Sequence, residues 1–126
     1  MPFTQDYHDQ VSEMSIGESF TAYDSANAYL GVGNSNTAFA ASQSDLQGAN
    51  KTRKGMETGF PNRVDANSVE FEALFDENEA NYEWREHGLF NAETGGTMLY
   101  REVENLGTKA QGTIWRFTVT VEWLKS

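Results

Sequence analysis

The segment TIWRFTVTVEWL, residues 113–124, carries the clearest structural signal in the chain. Its large apolar side chains alternate with polar ones: Trp115, Phe117, Val119, Val121 and Trp123 against Arg116, Thr118, Thr120 and Glu122. In a β-strand, successive side chains point to opposite faces. The segment therefore predicts a strand with one packed and one solvated face, which is typical of an antiparallel sheet.

Four segments upstream also have strand patterns: AYLGVG (28–33), SVEFEALF (68–75), YEWREHGLF (82–90) and TMLYREVE (97–104). In the third of these, Tyr82, Trp84 and Phe90 share one parity, and Glu86 falls among them. A carboxylate placed among aromatic residues needs a cation nearby. We therefore expect Glu86 to be half-buried against Arg101 or Arg116.

A hairpin is predicted between the third and fourth of these segments. Its loop is NAETGG, residues 91–96, in which two glycines can supply positive φ angles. We interpret the residues of this hairpin as structural: Trp84, Glu86, Gly88, Phe90, Gly95, Gly96 and Met98.

The N-terminal residues 1–18 predict a helical arm, because apolar residues recur from Phe3 to Met14 at spacings of three and four, with Thr4 as N-cap. Residues 36–66 are rich in small polar residues and predict a long connection over the core, with at most one helical turn. Such a connection is usually functional or contacts a partner. The fold expected is mainly β: one domain, residues 1–126, with an antiparallel β-sandwich or small barrel in 19–126 and an N-terminal α-helix.

The charge of the chain restricts its partners. Nineteen acidic residues against nine Lys and Arg give a formal net charge of -10. Such a surface repels phosphate backbones, so no nucleic-acid partner is expected. No apolar run has the roughly 20 residues that span a bilayer, so we expect no membrane insertion and a soluble chain made in a cytoplasm. A surface this acidic suits a protein that must stay soluble in strong salt, where screening removes the repulsion between its charges. Many ordinary proteins are equally acidic, so a halophilic source and an ordinary acidic protein remain alternatives.

Patterns that carry chemistry are weak, and we predict no catalytic, cofactor-binding or metal-binding residues. His8 and His87 lack partners at ligand spacing, which favours a solvated or hydrogen-bonded structural role. Carboxylate pairs such as Glu70 with Glu72 fit a solvated strand face better than acid/base catalysis. The turn DENEAN, residues 76–81, is oxygen-rich but lacks EF-hand spacing, so an acidic turn is favoured over a Ca²⁺ loop.

Basic residues cluster in NKTRKG, residues 50–55, and could dock against an acidic neighbour. Together with the apolar helix face they form the candidate assembly interface: Phe3, Tyr7, Val11, Met14, Lys51, Arg53 and Lys54.

The chain resembles a family of small virion proteins encoded among the tail and baseplate genes of tailed phages and archaeal tailed viruses. The resemblance is carried by AYLGVGNSNTAFAASQSDLQG (28–48), KTRKGMETGFP (51–61), VEFEALFDENEANYEWREHGLFNAETGGTMLYREVENLGTK (69–109) and WRFTVTVEW (115–123). The hairpin EHGLFNAETGGTMLYRE (86–102) is also similar, more loosely, to the core of phage tail-collar fibre domains.

This resemblance implies a structural protein of the virion tail, baseplate or tail fibre that acts as an assembly or adaptor module. It implies other tail proteins as partners, a homo-oligomer with the three- or six-fold symmetry of the tail, and neither an enzyme nor a cofactor. The chain lacks a long shaft repeat and a distal lectin domain, which disfavours direct receptor binding. The alternative is a receptor- or glycan-binding β-sandwich at the tail tip, with Tyr23, Tyr29 or Tyr100 as stacking residues.

Overall fold

The structure, a computed structural model, describes residues 2–123, which form one helix and seven strands in two antiparallel sheets. The elements are α1 Gln5–Ser15, β1 Tyr29–Gly33, β2 Lys51–Gly55, β3 Asn62–Asp65, β4 Ser68–Phe75, β5 Glu83–Phe90, β6 Met98–Thr108 and β7 Trp115–Glu122. One sheet has the order β2-β1-β5-β6 and the other β3-β4-β7. The predicted mainly β sandwich with an N-terminal helix is confirmed. No helix in residues 2–123 has the length and apolar character to cross a membrane.

The alternating segment at the C-terminus forms β7, as predicted. It pairs with β4 over eight residues without a bulge, from Ser68 opposite Glu122 to Phe75 opposite Trp115. Val119 and Val121 are buried on its inner face. The uninterrupted alternation therefore predicted the inner face of β7, and its pairing with β4 keeps that face in register over all eight residues.

Trp84 lies at the centre of the core between the sheets. Its ring contacts those of Phe75, Trp115 and Phe117 edge-on, at centroid distances of 5.0, 4.9 and 5.6 Å. Its indole Nε1 donates to the Ala80 carbonyl at 2.9 Å. Edge-to-face packing together with a satisfied indole N–H accounts for a tryptophan that is 1% exposed.

The faces of β5 differ from the simple alternation. The ladder between β5 and β6 shifts register between Trp84 and Glu86, which is the signature of a β-bulge. Trp84 therefore joins the core between the sheets, whereas Phe90 packs with Leu46 and Met98 in a separate cluster. The prediction that Trp84 and Phe90 share a face was wrong because the ladder is irregular between them: Trp84 lies opposite Gly107 but Glu86 lies opposite Val103, so two steps along β5 span four along β6.

The predicted connection 36–66 was also wrong in part, because it contains β2 and β3. The β2 sequence KTRKG has no apolar residue, and β3 is exposed throughout, so neither shows a hydrophobic alternation. Both are edge strands, where pairing with a neighbour rather than burial defines the strand. Residues 34–50 remain irregular.

The helix packs on the sandwich. Thr4 caps it by accepting from the Tyr7 N–H at 3.1 Å, as predicted, and the Trp123 indole donates to the Tyr7 hydroxyl at 2.8 Å. Tyr7 belongs to the core, with Phe3 and Val11 packed against it. Tyr7 is therefore used inside the chain and Phe3 and Val11 are partly buried against the core, while the assembly role of these residues stays a prediction.

Candidate functional site

A buried ion pair lies on the outer face of the four-stranded sheet. The Arg101 Nε donates to the Glu86 Oε1 at 2.8 Å, and both side chains are fully buried. Of the two cations proposed for Glu86, the structure selects Arg101; Arg116 pairs instead with Glu72 at 2.7 Å. Glu72 is itself buried, so the prediction that it lies on a solvated face was wrong.

The Glu86 carboxylate accepts three further hydrogen bonds, all from backbone N–H groups of the connection 34–50. The donors are Ser35 at 3.2 Å, Gln47 at 2.8 Å and Gly48 at 2.7 Å. The carboxylate thus satisfies donors in a segment that has no ladder partners of its own. One buried charge holds both ends of this connection against the sheet.

Arg101 contacts the middle of the same connection. Its Nη1 donates to the Thr37 carbonyl at 2.9 Å and to the Gln43 Oε1 at 3.2 Å, while its Nη2 has no hydrogen-bond partner among residues 2–123. Together the pair makes six hydrogen bonds that replace water for the two buried charges. It functions as the internal anchor of residues 34–50.

Gly33 makes room for this anchor. A Cβ at this position would lie 2.3 Å from the Glu86 Oε2. Gly33, the second glycine of GVG (31–33), is therefore required because the Glu86 carboxylate approaches its backbone closely.

The basic cluster of β2 is neutralised inside the chain. Lys51 and Arg53 both bind Asp45, at 2.8 and 3.3 Å, and Lys54 binds Glu79 at 2.7 Å. Arg53 also stacks 3.5 Å above the Phe90 ring and donates to two carbonyls of the hairpin loop. Partial burial raises the pKa of Asp45, but its hydrogen bonds from Lys51, the Leu46 N–H and Arg53 together hold it below the usual range.

The acidic turn 76–81 is held by a cation of the chain itself. Lys109, which is 1% exposed, donates from Nζ to the Asp76 carbonyl at 2.6 Å and to the Asn81 Oδ1 at 2.8 Å. An ammonium group thus occupies the oxygen-rich centre of the turn, which supports the structural interpretation of DENEAN.

A second group of ionisable side chains lies where β5 meets the edge strand β6. His87 faces Glu102 across the ladder, and its Nε2 is 3.0 Å from the Glu104 Oε2 and 3.6 Å from the Glu102 Oε2. Its Nδ1 is 2.7 Å from the Tyr100 hydroxyl. Burial, and secondarily Glu102 and Glu104, raise the pKa of this phenol well above its usual value. The predicted hydrogen-bonded role of His87 is confirmed, but the two glutamates were missed because they lie on another strand.

A further surface feature lies at the end of α1. Met14, Ile16 and Phe20 are 39%, 75% and 46% exposed, and we call them the helix-end patch. Phe20 also lines a cleft of about 450 Å³ between the helix and the hairpin loop, with Asp6, Asp9 and Glu13 along one wall; we call this the acidic cleft.

The tyrosines named for glycan stacking are not arranged for it. Tyr100 is fully buried, and Tyr23 donates to the Gln10 side chain at 2.8 Å while packing on Tyr7. Tyr29 is partly buried against Phe90 and Met98.

Comparison with known proteins gives no relative from which a role could be transferred. No protein-family model, curated protein or solved structure matches the chain.

Proposed function

We propose that this protein is a virion structural protein of a tailed virus, an assembly or adaptor module of the tail, baseplate or tail fibre, and not an enzyme. The sequence motifs that resemble tail proteins support the assignment. The structural observation that supports it best is the helix-end patch beside the acidic cleft.

The composition of the patch favours a docking role. Single exposed apolar residues are common on protein surfaces. Here three large ones fall within seven residues, at or just after the C-terminal end of α1. Covering a side chain such as Ile16 or Phe20 stabilises a complex by about 1.5–3 kcal/mol. A partner that covers both would therefore gain specific affinity from a small area.

The acidic cleft indicates the chemistry of that partner. Asp6, Asp9 and Glu13 line it without a Lys or Arg among its lining residues. A segment of a neighbouring virion protein with Lys or Arg next to large apolar side chains would complement both features. The basic cluster of a second copy is a poorer candidate, since Asp45 and Glu79 already neutralise it. A trimer or hexamer stays a prediction.

Quantitative mass spectrometry of virus particles purified from the source host tests the function. We expect the protein in washed particles at a fixed ratio to the major tail protein, and at the same ratio after density-gradient repurification. Its absence from particles, with the protein present in infected cells, would refute the virion assignment.

The interface is tested separately by an Ile16→Ser/Phe20→Ser variant, with Ile114→Ser as matched control because Ile114 is 60% exposed and lines a different groove. We expect the double variant to fold but to enter particles at least about tenfold less, since 1.4 kcal/mol corresponds to a factor of ten. Equal incorporation of both variants would refute this interface and leave the virion assignment standing. A loss seen only with Ile114→Ser would place the docking surface at the groove formed by Leu106, Ile114 and Trp115.

The receptor-binding alternative has a different signature. It requires the purified protein to bind host envelopes, and the helix-end variant to assemble normally. This alternative would be contradicted if particles that lack the protein adsorbed to hosts as well as particles that carry it.

A further inference from the structure

We propose that His87, Glu102 and Glu104 form a binding site for a divalent transition-metal ion, with zinc as the representative case. This site is independent of the assembly role, because it uses β5 and β6 and none of the helix-end residues.

The donor atoms have the spacing of a coordination shell. One donor atom from each of the three side chains lies within 4.8 Å of the others, with Nε2 at 3.0 and 3.6 Å from the two carboxylates. Ligand atoms bound tetrahedrally to zinc at about 2.0–2.1 Å lie roughly 3.3 Å from one another. An ion between the three side chains therefore needs only small side-chain rotations.

The histidine is oriented for this role by a second contact. Its Nδ1 lies 2.7 Å from the Tyr100 hydroxyl, which is buried and can accept the Nδ1 proton. Metal-bound histidines almost always donate the other ring N–H to an oxygen acceptor, which fixes the tautomer and would leave a lone pair on Nε2 for the ion in place of the hydrogen bond to Glu104. The Phe117 ring packs edge-on against the imidazole at 5.2 Å and limits its movement.

Glu102 and Glu104 keep the site open to solvent and supply its negative charge. Glu102 and Glu104 lie two residues apart on the same face of β6, with side chains that are 38% and 51% exposed. Residues 2–4 pair with residues 99–101 of β6, and Glu102 and Glu104 lie further along the same edge. Two carboxylates on one face repel each other, and a divalent cation would remove that repulsion.

The ligand types select the class of metal. An imidazole nitrogen suits zinc and other first-row transition ions, whereas calcium and magnesium prefer oxygen alone. With three protein ligands, a fourth position would be left for water. The ion would link β5 to the edge strand β6 and stabilise the folded state by mass action.

The test is a zinc titration of the full-length protein in competition with a chromophoric chelator. We expect one equivalent per chain, with affinity reduced at least about tenfold in Glu104→Gln and in Glu102→Gln, since loss of even an outer-shell partner costs 10–100-fold. Glu122→Gln, an exposed strand glutamate, and His8→Asn, the other histidine, are controls that should leave the affinity unchanged.

Two further readouts separate a built site from general attraction of zinc to an acidic protein. Zinc should shift the Nε2 resonance of His87 in nitrogen NMR spectra, and at the same zinc concentration it should raise the melting temperature of the wild type more than that of Glu104→Gln. No bound zinc, equal affinity in Glu104→Gln and Glu122→Gln, or a shift at His8 alone would overturn the proposal. A variant of the buried histidine itself, such as His87→Asn, could fail to fold. Because Glu102 and Glu104 are partly exposed, Glu102→Gln and Glu104→Gln still decide the question in that case.

Discussion

Two charged groups lie on opposite faces of the same pair of strands, and their environments differ sharply. Glu86 and Arg101 point to the outer face, under the connection 34–50, while their chain neighbours His87 and Glu102 point to the inner face near the open end of β6. The first group is fully buried; in the second, the two carboxylates are exposed to solvent.

The difference lies in how the charges are neutralised. The outer pair consists of one anion and one cation with six hydrogen bonds between them and to the connection. The inner group has two carboxylates and one imidazole, and both carboxylates are open to solvent. Burial thus demands a complete internal set of partners, whereas exposure permits a group that can take its counter-ion from solution.

The strongest test of this contrast removes the cation of the buried pair. In Arg101→Met, Glu86 keeps its backbone donors but loses the one cation that pairs with it among residues 2–123, so we expect a loss of about 3–5 kcal/mol in the free energy of unfolding. Urea denaturation followed by tryptophan fluorescence measures it.

The matched control is Arg116→Met, because Arg116 also pairs with a glutamate but is 58% exposed. We expect it to cost clearly less than Arg101→Met, because Arg116 is largely exposed and the Thr118 hydroxyl still donates to Glu72 at 2.8 Å. The double variant Glu86→Gln/Arg101→Met should recover part of the stability lost in Arg101→Met, since it removes the unpaired charge. If the two single arginine variants were equally stable, the connection would not depend on the buried pair.

Much of the fold could be predicted from the sequence because burial repeats with the period of the strand. β7 alternates without interruption and β4 does so apart from Leu74, so their inner faces followed from the pattern, whereas the register between them was not predicted. β2 could not be found in this way, because KTRKG is defined by ladder hydrogen bonds and carries no apolar residue. The irregularity before Glu86 was equally invisible, since a shift in the pairing of β5 with β6 leaves no compositional trace.

The sites show the same limit. Glu86 stood out because a charged residue interrupted an aromatic run, and its partner Arg101 was one of the two cations named on that ground. The contacts of Arg101 to Thr37 and Gln43 depend on how an irregular connection folds over the sheet, which periodicity does not encode. The neighbourhood of His87 depends on the pairing register of two strands, so Glu102 and Glu104 gave no local signal.

A smaller effect is expected from filling the space that the buried pair requires. In Gly33→Ala, the added methyl group would meet the Glu86 Oε2 at 2.3 Å, so the carboxylate must move away from its backbone donors. We expect a loss of about 1–3 kcal/mol by chemical denaturation.

Gly55→Ala on β2 is the matched control, since its nearest contact is an ordinary 3.5 Å to the Tyr29 ring. That change should stay within about 0.5 kcal/mol. A Gly33→Ala protein as stable as Gly55→Ala would mean that the connection can shift without cost.

The smallest effect is expected at the exposed rim of the same connection, where Asp45 binds Lys51 and Arg53. The pKa of Asp45 is held below its usual value in the folded state, so the folded protein binds fewer protons than the unfolded chain in this range. The stabilisation is therefore present above the unfolded pKa of about 3.9 and is lost as pH falls through the folded value.

We expect Asp45→Asn to flatten the rise of unfolding free energy with pH below about pH 5, and Lys51→Met to flatten it in part. Because Asp45 is 39% exposed, solvent screens the contribution, and the change in slope should be well below the effect of Arg101→Met. A steeper acid dependence in Asp45→Asn than in the wild type would contradict this assignment and show that the rim pair does not help to hold the connection.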